Sequence, residues 1–215
     1  MKKGILGLLW ILIIFFSYKI YDSINGPIKF NEVKNKRYAD VINRLKTIRK
    51  AQIAHKDVKG VFSNNFDSLI KFIDEGIFTL IEKRDSSYLE YDRVYRIDML
   101  REVVVVDTLG TVSVKDSLFK QNEEYKKMAF IPVKGVEDSI FEIKSMIIDK
   151  NGYKVPVFEV KVSKNIVLFD QNKDLLKQEN ETISVDGVNG PEIILGSLSN
   201  VSTNGNWPTI FDADN

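Results

Sequence analysis

An uninterrupted apolar stretch near the N-terminus constrains this chain more than any other feature of its sequence. After Met1-Lys2-Lys3 the residues from Gly4 to Phe16 carry no charge, and Lys19 is the next charged residue before the stretch closes at Tyr21. About 17–25 mostly apolar residues are enough for a helix to cross a bilayer. The sequence therefore predicts a cytoplasmic tail over residues 1–3 and a transmembrane anchor over residues 4–21.

Two other interpretations of this stretch are weaker. A cleaved signal peptide has small residues in an A-x-A-like pattern after its apolar core, but Phe15-Phe16-Ser17-Tyr18-Lys19 stands there. A helix buried in a water-soluble domain shows a polar face at helical spacing, and none interrupts this run. We therefore expect the helix to be retained as a signal-anchor.

Positive charges flank both ends of the stretch: Lys2 and Lys3 before it, and Lys29, Lys34, Lys36 and Arg37 after it. Counted alone, these charges slightly favour an outside N-terminus. Large domains, however, translocate largely regardless of charge. We expect a single-pass protein of the cytoplasmic (inner) membrane with its soluble domain in the periplasm.

The remaining length and composition suit one globular domain. The chain has 215 residues, a formal net charge of +1 and no cysteine. A balanced charge provides no global field that would gather nucleic acid. The lack of cysteine excludes disulfides, thiol catalysis and cysteine-based zinc sites.

Two helical patterns follow the anchor. Gly26-Pro27 interrupts the first, because proline removes a backbone donor, so residues 22–30 are either a juxtamembrane linker or a kink. A long amphipathic helix is predicted from Asn31 to Lys59-Gly60. A short helix capped by Asn64 or Asn65 should end at Gly76. Its apolar face comprises Phe66, Leu69, Ile70 and Ile73.

The pattern then changes to a period of two, which is typical of strands. An Asn151-Gly152 turn between the runs 140–149 and 153–162 predicts a hairpin, and Pro156 predicts an edge or bulge in its second arm. Ile77–Leu80 and Val103–Val106 are predicted to be buried strands, and residues 107–110 a turn leading to a strand over 111–114. Further short strands are predicted at 166–169, 182–185 and 193–198.

The predicted fold class is α+β: an N-terminal transmembrane helix, a long amphipathic helix, a short helix and then a mostly antiparallel β-sheet domain. The extracytoplasmic domain spans residues 31–215. It divides into a helical part over 31–76, a β-rich part over 77–201 and a tail over 202–215.

The sequence predicts no catalytic, cofactor-binding or metal site. His55 is the sole histidine and lies on the apolar helix face, which favours a packing or capping role over catalysis. The acidic residues Asp67, Asp74 and Glu75 indicate no acid–base pair. The tail from Asp212 to Asn215 offers oxygen ligands for calcium but lacks the rest of a binding loop. Gly187–Gly190 lacks the lysine of a phosphate loop, so we expect a turn and no enzyme activity.

A group of basic residues follows the anchor: Lys34, Lys36, Arg37, Arg44, Lys46, Arg49 and Lys50. They are either a solvated helix face or a contact for anionic lipid or an acidic partner. Each such charge close to an anionic leaflet adds about 1 kcal/mol of attraction to the membrane. Nucleic-acid binding is not expected, because aromatic residues do not alternate with them.

The first third of the chain resembles type IV pilins and type II secretion pseudopilins. The similarity lies in the anchor that runs toward a long helix, in the stretch 45–55, and in the Gly60-Val61-Phe62 turn before a short helix. The resemblance implies lateral assembly with other subunits. The chain departs from the pilin pattern at Leu9, where processed pilins carry a glutamate that pairs with a neighbouring subunit's terminal amine.

Over nearly its whole length the chain also resembles an uncharacterised family of Gram-negative envelope proteins. The matching stretches are 37–42, 116–119, 155–159, 196–198 and 205–207. Two hypotheses follow. The chain is a pilin-like component of an envelope secretion or pilus machine, or a membrane-tethered domain that binds a protein, peptide or glycan. Expected partners are the membrane and either copies of itself or other machine subunits, with no small-molecule substrate.

Overall fold

The protein is an α+β chain, as predicted. A computed structural model describes residues 2–120 and 122–212, except for the side chains of residues 2–6 and Leu8. The helices are α1 (Lys2–Lys59), α2 (Phe66–Glu75), α3 (Val114–Leu118), α4 (Lys164–Val167) and α5 (Lys173–Asn180). The strands are β1 (Ile77–Asp92), β2 (Ile97–Ser113), β3 (Glu142–Lys150), β4 (Tyr153–Ser163) and β5 (Glu192–Gly196).

Helix α1 is continuous over 58 residues, with Pro27 inside it. Residues 22–30 are therefore part of one helix rather than a linker between two. In the described part of the chain, no helix is both long and apolar enough to cross a membrane. The side chains of residues 4–6 and Leu8, which belong to the predicted span, lie outside that part.

The two halves of α1 have different environments. Large apolar side chains from Leu9 to Ile28 are exposed, whereas Phe30 is 6% exposed and the helix contributes to the core from there on. The buried apolar residues of the second half are Tyr38, Val41, Ile42, Leu45, Ile48, Ala51 and Ala54. Their helical spacing places them on one face, which confirms the predicted amphipathic helix.

The end of α1 and the start of α2 also match the sequence prediction. Gly60 has a φ of +77° and its N–H donates to the carbonyl oxygen of Lys56 at 2.7 Å. A left-handed residue at this position closes the last helical turn. The side chain of Asn65 accepts from the N–H of Asp67, and α2 ends before Gly76.

Strands β1 and β2 form a two-stranded antiparallel sheet of their own, called here the β-arm (Ile77–Ser113). The strand predictions at 77–80 and 103–106 are confirmed, but their predicted burial is wrong. Ile77 is 55% exposed, and Val103–Val106 of β2 are 39–58% exposed. The apolar run reflects an uncovered sheet, because the β-arm beyond Phe78, which packs against the core near its base, does not lie against the core.

The predicted turn at residues 107–110 is also wrong, since β2 continues through it. Leu109 is skipped in the pairing with β1, where the register shifts between Leu80 and Ile81. A bulge of this kind absorbs an extra residue without ending the strand. The actual turn follows Asp92, whose carboxylate accepts from the N–H groups of Val94 and Tyr95, and it places Arg96 at a φ of 55°.

A second sheet has the strand order β3-β4-β5. Asn151 and Gly152 both have positive φ, at 56° and 82°, and join β3 to β4 as the sequence predicts. Pro156 lies opposite Ile147 of β3, in the half of β4 that precedes its pairing with β5. The missing N–H of proline is tolerated at such an edge.

Two further strand predictions are wrong, and one is confirmed. Residues 166–169 lie in α4 and the turn after it, and residues 182–185 lie in a loop. The first stretch is short and apolar because Val167 and Leu168 are buried from a helical turn, and periodicity cannot distinguish these cases over four residues. The strand predicted at 193–198 is β5.

The close contact of β4 with β5 depends on Gly196. This residue has a φ of +79°, and a Cβ placed on it overlaps the carbonyl oxygen of Phe158. Gly190 has a φ of +77°, but nothing lies within 4 Å of a Cβ placed there. The two glycines therefore share a backbone conformation and differ in their surroundings.

Gly196→Ala should destabilise the domain more than Gly190→Ala. We expect the control to cost about 1–2 kcal/mol from its left-handed backbone and Gly196→Ala to cost about 1–3 kcal/mol more from steric overlap. Thermal unfolding monitored by circular dichroism measures both. Equal shifts of the two midpoints would contradict the packing described here.

Candidate functional site

A buried ion cluster joins α1 to the C-terminal part of the domain. Lys164 is fully buried, and its Nζ donates to Glu179 Oε1 at 3.0 Å and to the carbonyl oxygens of Glu179 and Val188 at 2.8 Å each. Three acceptors satisfy the three donors of an ammonium group. Lys164 is the first residue of α4 and lies close to the end of α5, where Glu179 is located.

Two residues of α1 complete this cluster on Glu179. Lys34 Nζ donates to Glu179 Oε2 at 3.0 Å, and the Tyr38 hydroxyl donates to Oε1 at 3.2 Å. Burial favours a protonated Glu179, but hydrogen bonds from Lys34 and Lys164 outweigh it and lower its pKa. Burial and the nearby Glu179 carboxylate raise the pKa of Tyr38.

Other basic residues of α1 also bind the domain. Arg37 forms two hydrogen bonds with the Asp170 carboxylate, at 2.6 and 2.8 Å, and a third with the carbonyl oxygen of Val167. These bonds from Arg37 lower the pKa of Asp170 well below its usual range, with a further contribution from Gln171. Bidentate pairing of this kind is orientationally specific.

The remaining arginines of the basic group have similar roles. Arg44 donates to the carbonyl oxygen of Glu124 at 3.0 Å. Arg49 lies over the Trp207 ring, 5.4 Å from its centroid, and 3.9 Å from the Asp212 carboxylate. Four members of the predicted group, Lys34, Arg37, Arg44 and Arg49, thus hold the domain against α1, so they are not a purely solvated face. Lys36 and Lys50 are exposed.

His55 lies at the end of α1, where the sequence suggested packing or capping. Its Nδ1 is 2.6 Å from the carbonyl oxygen of Val61, and its ring meets Phe72 edge-on at 4.9 Å between centroids. These contacts hold the loop after α1 against the helix. The buried Gln52 assists, since its side chain exchanges two hydrogen bonds with the backbone of Ser63.

A groove of about 380 Å³ runs beside this loop. It is lined by His55, residues 61–64, Ser68, Ser145–Ile147 and Pro156. Ser145 Oγ donates to the carbonyl oxygen of Phe62 at 3.1 Å and holds β3 next to the loop. The groove combines hydroxyl, amide and apolar groups, which suits a neutral peptide segment better than a charged substrate.

Among the acidic candidates, Asp74 and Asp212 make side-chain contacts, whereas Asp67 and Glu75 are exposed. Asp74 accepts from the hydroxyl of Tyr125, and burial together with this bond raises the pKa of Tyr125 to about 12. Asp67 lies exposed in the first turn of α2. Asp212 accepts from Trp207 Nε1 at 3.1 Å. The rest of the predicted calcium-binding tail, residues 213–215, lies outside the described residues.

The residues considered for metal and phosphate binding have the following places in the structure. Among residues 2–120 and 122–212, no three histidine, aspartate or glutamate side chains are grouped so as to hold a metal ion. Gly187–Gly190 lies in the loop between α5 and β5, where the side chain of Asn189 accepts from the N–H of Ser184. Residues 187–190 form irregular backbone with bends at Gly187 and Gly190, directly after a turn at Val185–Asp186.

The surfaces with unusual exposure are the first half of α1 and the β-arm. Both present large apolar side chains that no described residue covers. Sequence reasoning missed the β-arm because it interpreted apolar strands as buried. A usable signal was the block Glu82-Lys83-Arg84-Asp85, since four consecutive charges place a charge on both faces of a strand.

Comparisons with protein-family models, curated proteins and solved structures found no match. The function is therefore inferred from the two exposed elements, the groove and the way the domain is held on α1.

Proposed function

We propose that this chain is a non-enzymatic single-pass membrane protein that acts as a pilin-like or pseudopilin-like assembly component of an envelope secretion or pilus-type machine. Residues 4–21 would anchor it in the cytoplasmic (inner) membrane, with the domain in the periplasm. The observation that carries the proposal is the division of α1 into an exposed apolar half and a half that forms the core of the domain.

The exposed half supports an apolar environment for this part of the helix. Trp10, Ile11, Ile14, Phe16 and Ile20 are each more than half exposed. Burying one large apolar side chain yields about 1.5–3 kcal/mol, so leaving a whole turn-by-turn series in water is unfavourable. Lipid or the equivalent helices of other subunits would cover the series.

The buried half supports the comparison with pilins. The helix that would emerge from the membrane continues without interruption into the domain, where Leu45 and Ile48 belong to the same core cluster as residues of α2, β4 and β5. A force on the anchor would therefore act directly on the domain. The ion cluster around Glu179 strengthens this connection at the membrane-proximal end.

A second function, a membrane-tethered binding or adaptor domain, is favoured by the groove beside His55. Strand β3 lies at one side of the β3-β4-β5 sheet, and its residues Ser145–Ile147 line the groove. An extended peptide can add to such a sheet edge through main-chain hydrogen bonds. The ligand class for this alternative is a peptide or protein segment.

The anchor is tested by membrane extraction. We expect the full chain to stay in the membrane pellet after alkaline carbonate treatment, and Ile11→Asp with Ile14→Asp to release it, because each aspartate at a helix centre costs about 2.5–3.5 kcal/mol on insertion. The matched control carries Asn31→Asp and Asn35→Asp on the same helix. Release of the parent chain, or a mature N-terminus after Ser17, would contradict the proposal.

The two functions are separated by crosslinking in native membranes. A ladder of the chain with itself or with several membrane proteins supports an assembly component. A single soluble partner supports the binding domain, and that product should disappear when Met146→Lys places a charge in the groove. A lysine at the exposed Tyr153 provides the control.

A further inference from the structure

The β-arm has sheet edges that no described residue pairs with. Its strands contain 16 and 17 residues, which at about 3.3 Å per residue is a length of roughly 50 Å. A lone two-stranded hairpin is marginally stable in water, and at least a third strand is normally needed. The β-arm therefore has a structural reason to acquire a strand from outside the chain.

The outer edges of β1 and β2 differ in how readily they could pair with another strand. At mid-length β1 carries the charged block Glu82–Asp85, and charges of this kind are what protect natural edge strands from pairing. At the same level β2 carries Val103–Val106, with Val104 opposite Asp85 and Val106 opposite Lys83. The outer edge of β2 is therefore the one open to strand addition.

The two faces of β2 also differ. Arg101, Val103, Val105 and Asp107 lie on one face, where Arg101 contacts Glu90 at 3.1 Å and Asp107 pairs with Arg84. Leu100, Glu102, Val104 and Val106 lie on the other face, together with Lys83, Asp85 and Leu89 of β1. Both faces mix apolar and charged residues, so an added antiparallel strand extends both, and the charges of Arg101, Glu102 and Asp107 decide which register suits it.

A second copy of β2 can add to this edge in one register that places opposite charges across from each other. When antiparallel strands are centred on Val104, odd residues face odd residues, and each Arg101 lies opposite Asp107 of the other copy. Centring on Val103 or Val105 places Asp107 opposite Met99 or Val103. Centring between Val104 and Val105 places Glu102 opposite Asp107, and like charges directly opposite are destabilising.

We propose that two copies of this chain join through the outer edges of β2, as an antiparallel four-stranded sheet centred on Val104 and extending from Leu100 to Thr108. The carboxylate of Glu90, Arg101, Asp107 of the second copy and its Arg84 then form an alternating row of charges. This inference goes beyond the proposed function, because it does not depend on the anchor.

Cysteine crosslinking tests the register directly, since the natural chain contains no cysteine. Opposite residues in antiparallel strands have Cα atoms about 4.5–5.5 Å apart, which permits a disulfide. Val104→Cys in the full chain should therefore give mostly covalent dimer under mild oxidation. Val103→Cys and Val105→Cys should give little alone but should crosslink when mixed. Ile183→Cys, at a 93% exposed position outside the β-arm, is the control.

A substitution that repels the two edges provides the second measurement. Val104→Lys brings two like charges together at the centre of the interface, and we expect dimers to be lost in analytical ultracentrifugation at concentrations where the parent dimerises. Leu89→Lys adds the same charge at an exposed position on the other strand and should leave association unchanged. Both sites lie outside the core, so the domain itself should fold.

The outcomes separate this inference from the proposed function. A Val104→Cys dimer that exceeds the Ile183→Cys control, in a chain that carbonate releases from membranes, supports the β-arm interface and contradicts the anchor. A chain that stays in the membrane without a Val104→Cys dimer supports the anchor and overturns the interface. Equal crosslinking at residues 103, 104 and 105 also overturns it, because random collision explains that pattern.

Discussion

Ile48→Lys is expected to unfold the domain. Ile48 is completely buried in the middle of the apolar face of α1, and a lysine there must either place an unpaired ammonium in the core or lose its proton. We expect a loss of about 4 kcal/mol or more, which is a large part of the stability of an ordinary domain. Limited proteolysis and circular dichroism of the full chain in detergent measure the loss.

Ile53→Lys is the matched control, because Ile53 lies on the same helix and is 38% exposed. The same chemical change should shift stability by about 0.5 kcal/mol or less at an exposed site. If Ile48→Lys proved as protease-resistant as the parent chain, the buried face of α1 would be assigned incorrectly.

Glu179→Ala should be the second most damaging change. It leaves Lys164 fully buried without its carboxylate partner and removes the contacts of Lys34 and Tyr38. Breaking a buried ion pair by removing one partner costs about 3–5 kcal/mol. We expect the unfolding midpoint to fall by about 6–20 °C for a domain of this size.

The control for this change is Glu181→Ala, an exposed glutamate two residues later. A second comparison uses Lys164→Met with Glu179→Leu, because replacing a buried pair by apolar residues of similar volume is often close to neutral. The double variant should be more stable than Glu179→Ala. If it were less stable, the damage would come from lost packing rather than from an unpaired charge.

The same cluster gives the domain a defined response to acid. The pKa of Glu179 is lowered on folding from its ordinary value of 4.5, so its contribution to stability is complete above that value and disappears as the pH falls through the folded pKa. Asp170 shifts in the same direction through its bonds to Arg37. Glu179→Gln should therefore flatten the loss of stability below pH 4.5, as measured by unfolding at several pH values.

The two hairpins of the protein illustrate what the sequence can and cannot predict. Asn151-Gly152 predicts its hairpin because both residues adopt positive φ at low cost, a property of the residues themselves. The hairpin of the β-arm turns at Asp92–Arg96 without glycine or proline. Hydrogen bonds to the Asp92 side chain hold this turn, and the sequence analysis did not predict it. Whether Val103–Val106 is buried depends on what lies above it.

The sequence alone determined the features that depend on local chemistry: the apolar stretch at 4–21, the amphipathic face from Asn31 to Lys59, the cap at Gly60 and the α+β class. The tertiary structure alone decided which charges meet, because Arg37 and Asp170, or Lys34 and Glu179, lie more than a hundred residues apart along the chain. It also decided that the β-arm stands uncovered. Periodicity records which side chains share a face, whereas burial and ion pairing depend on elements that only folding brings together.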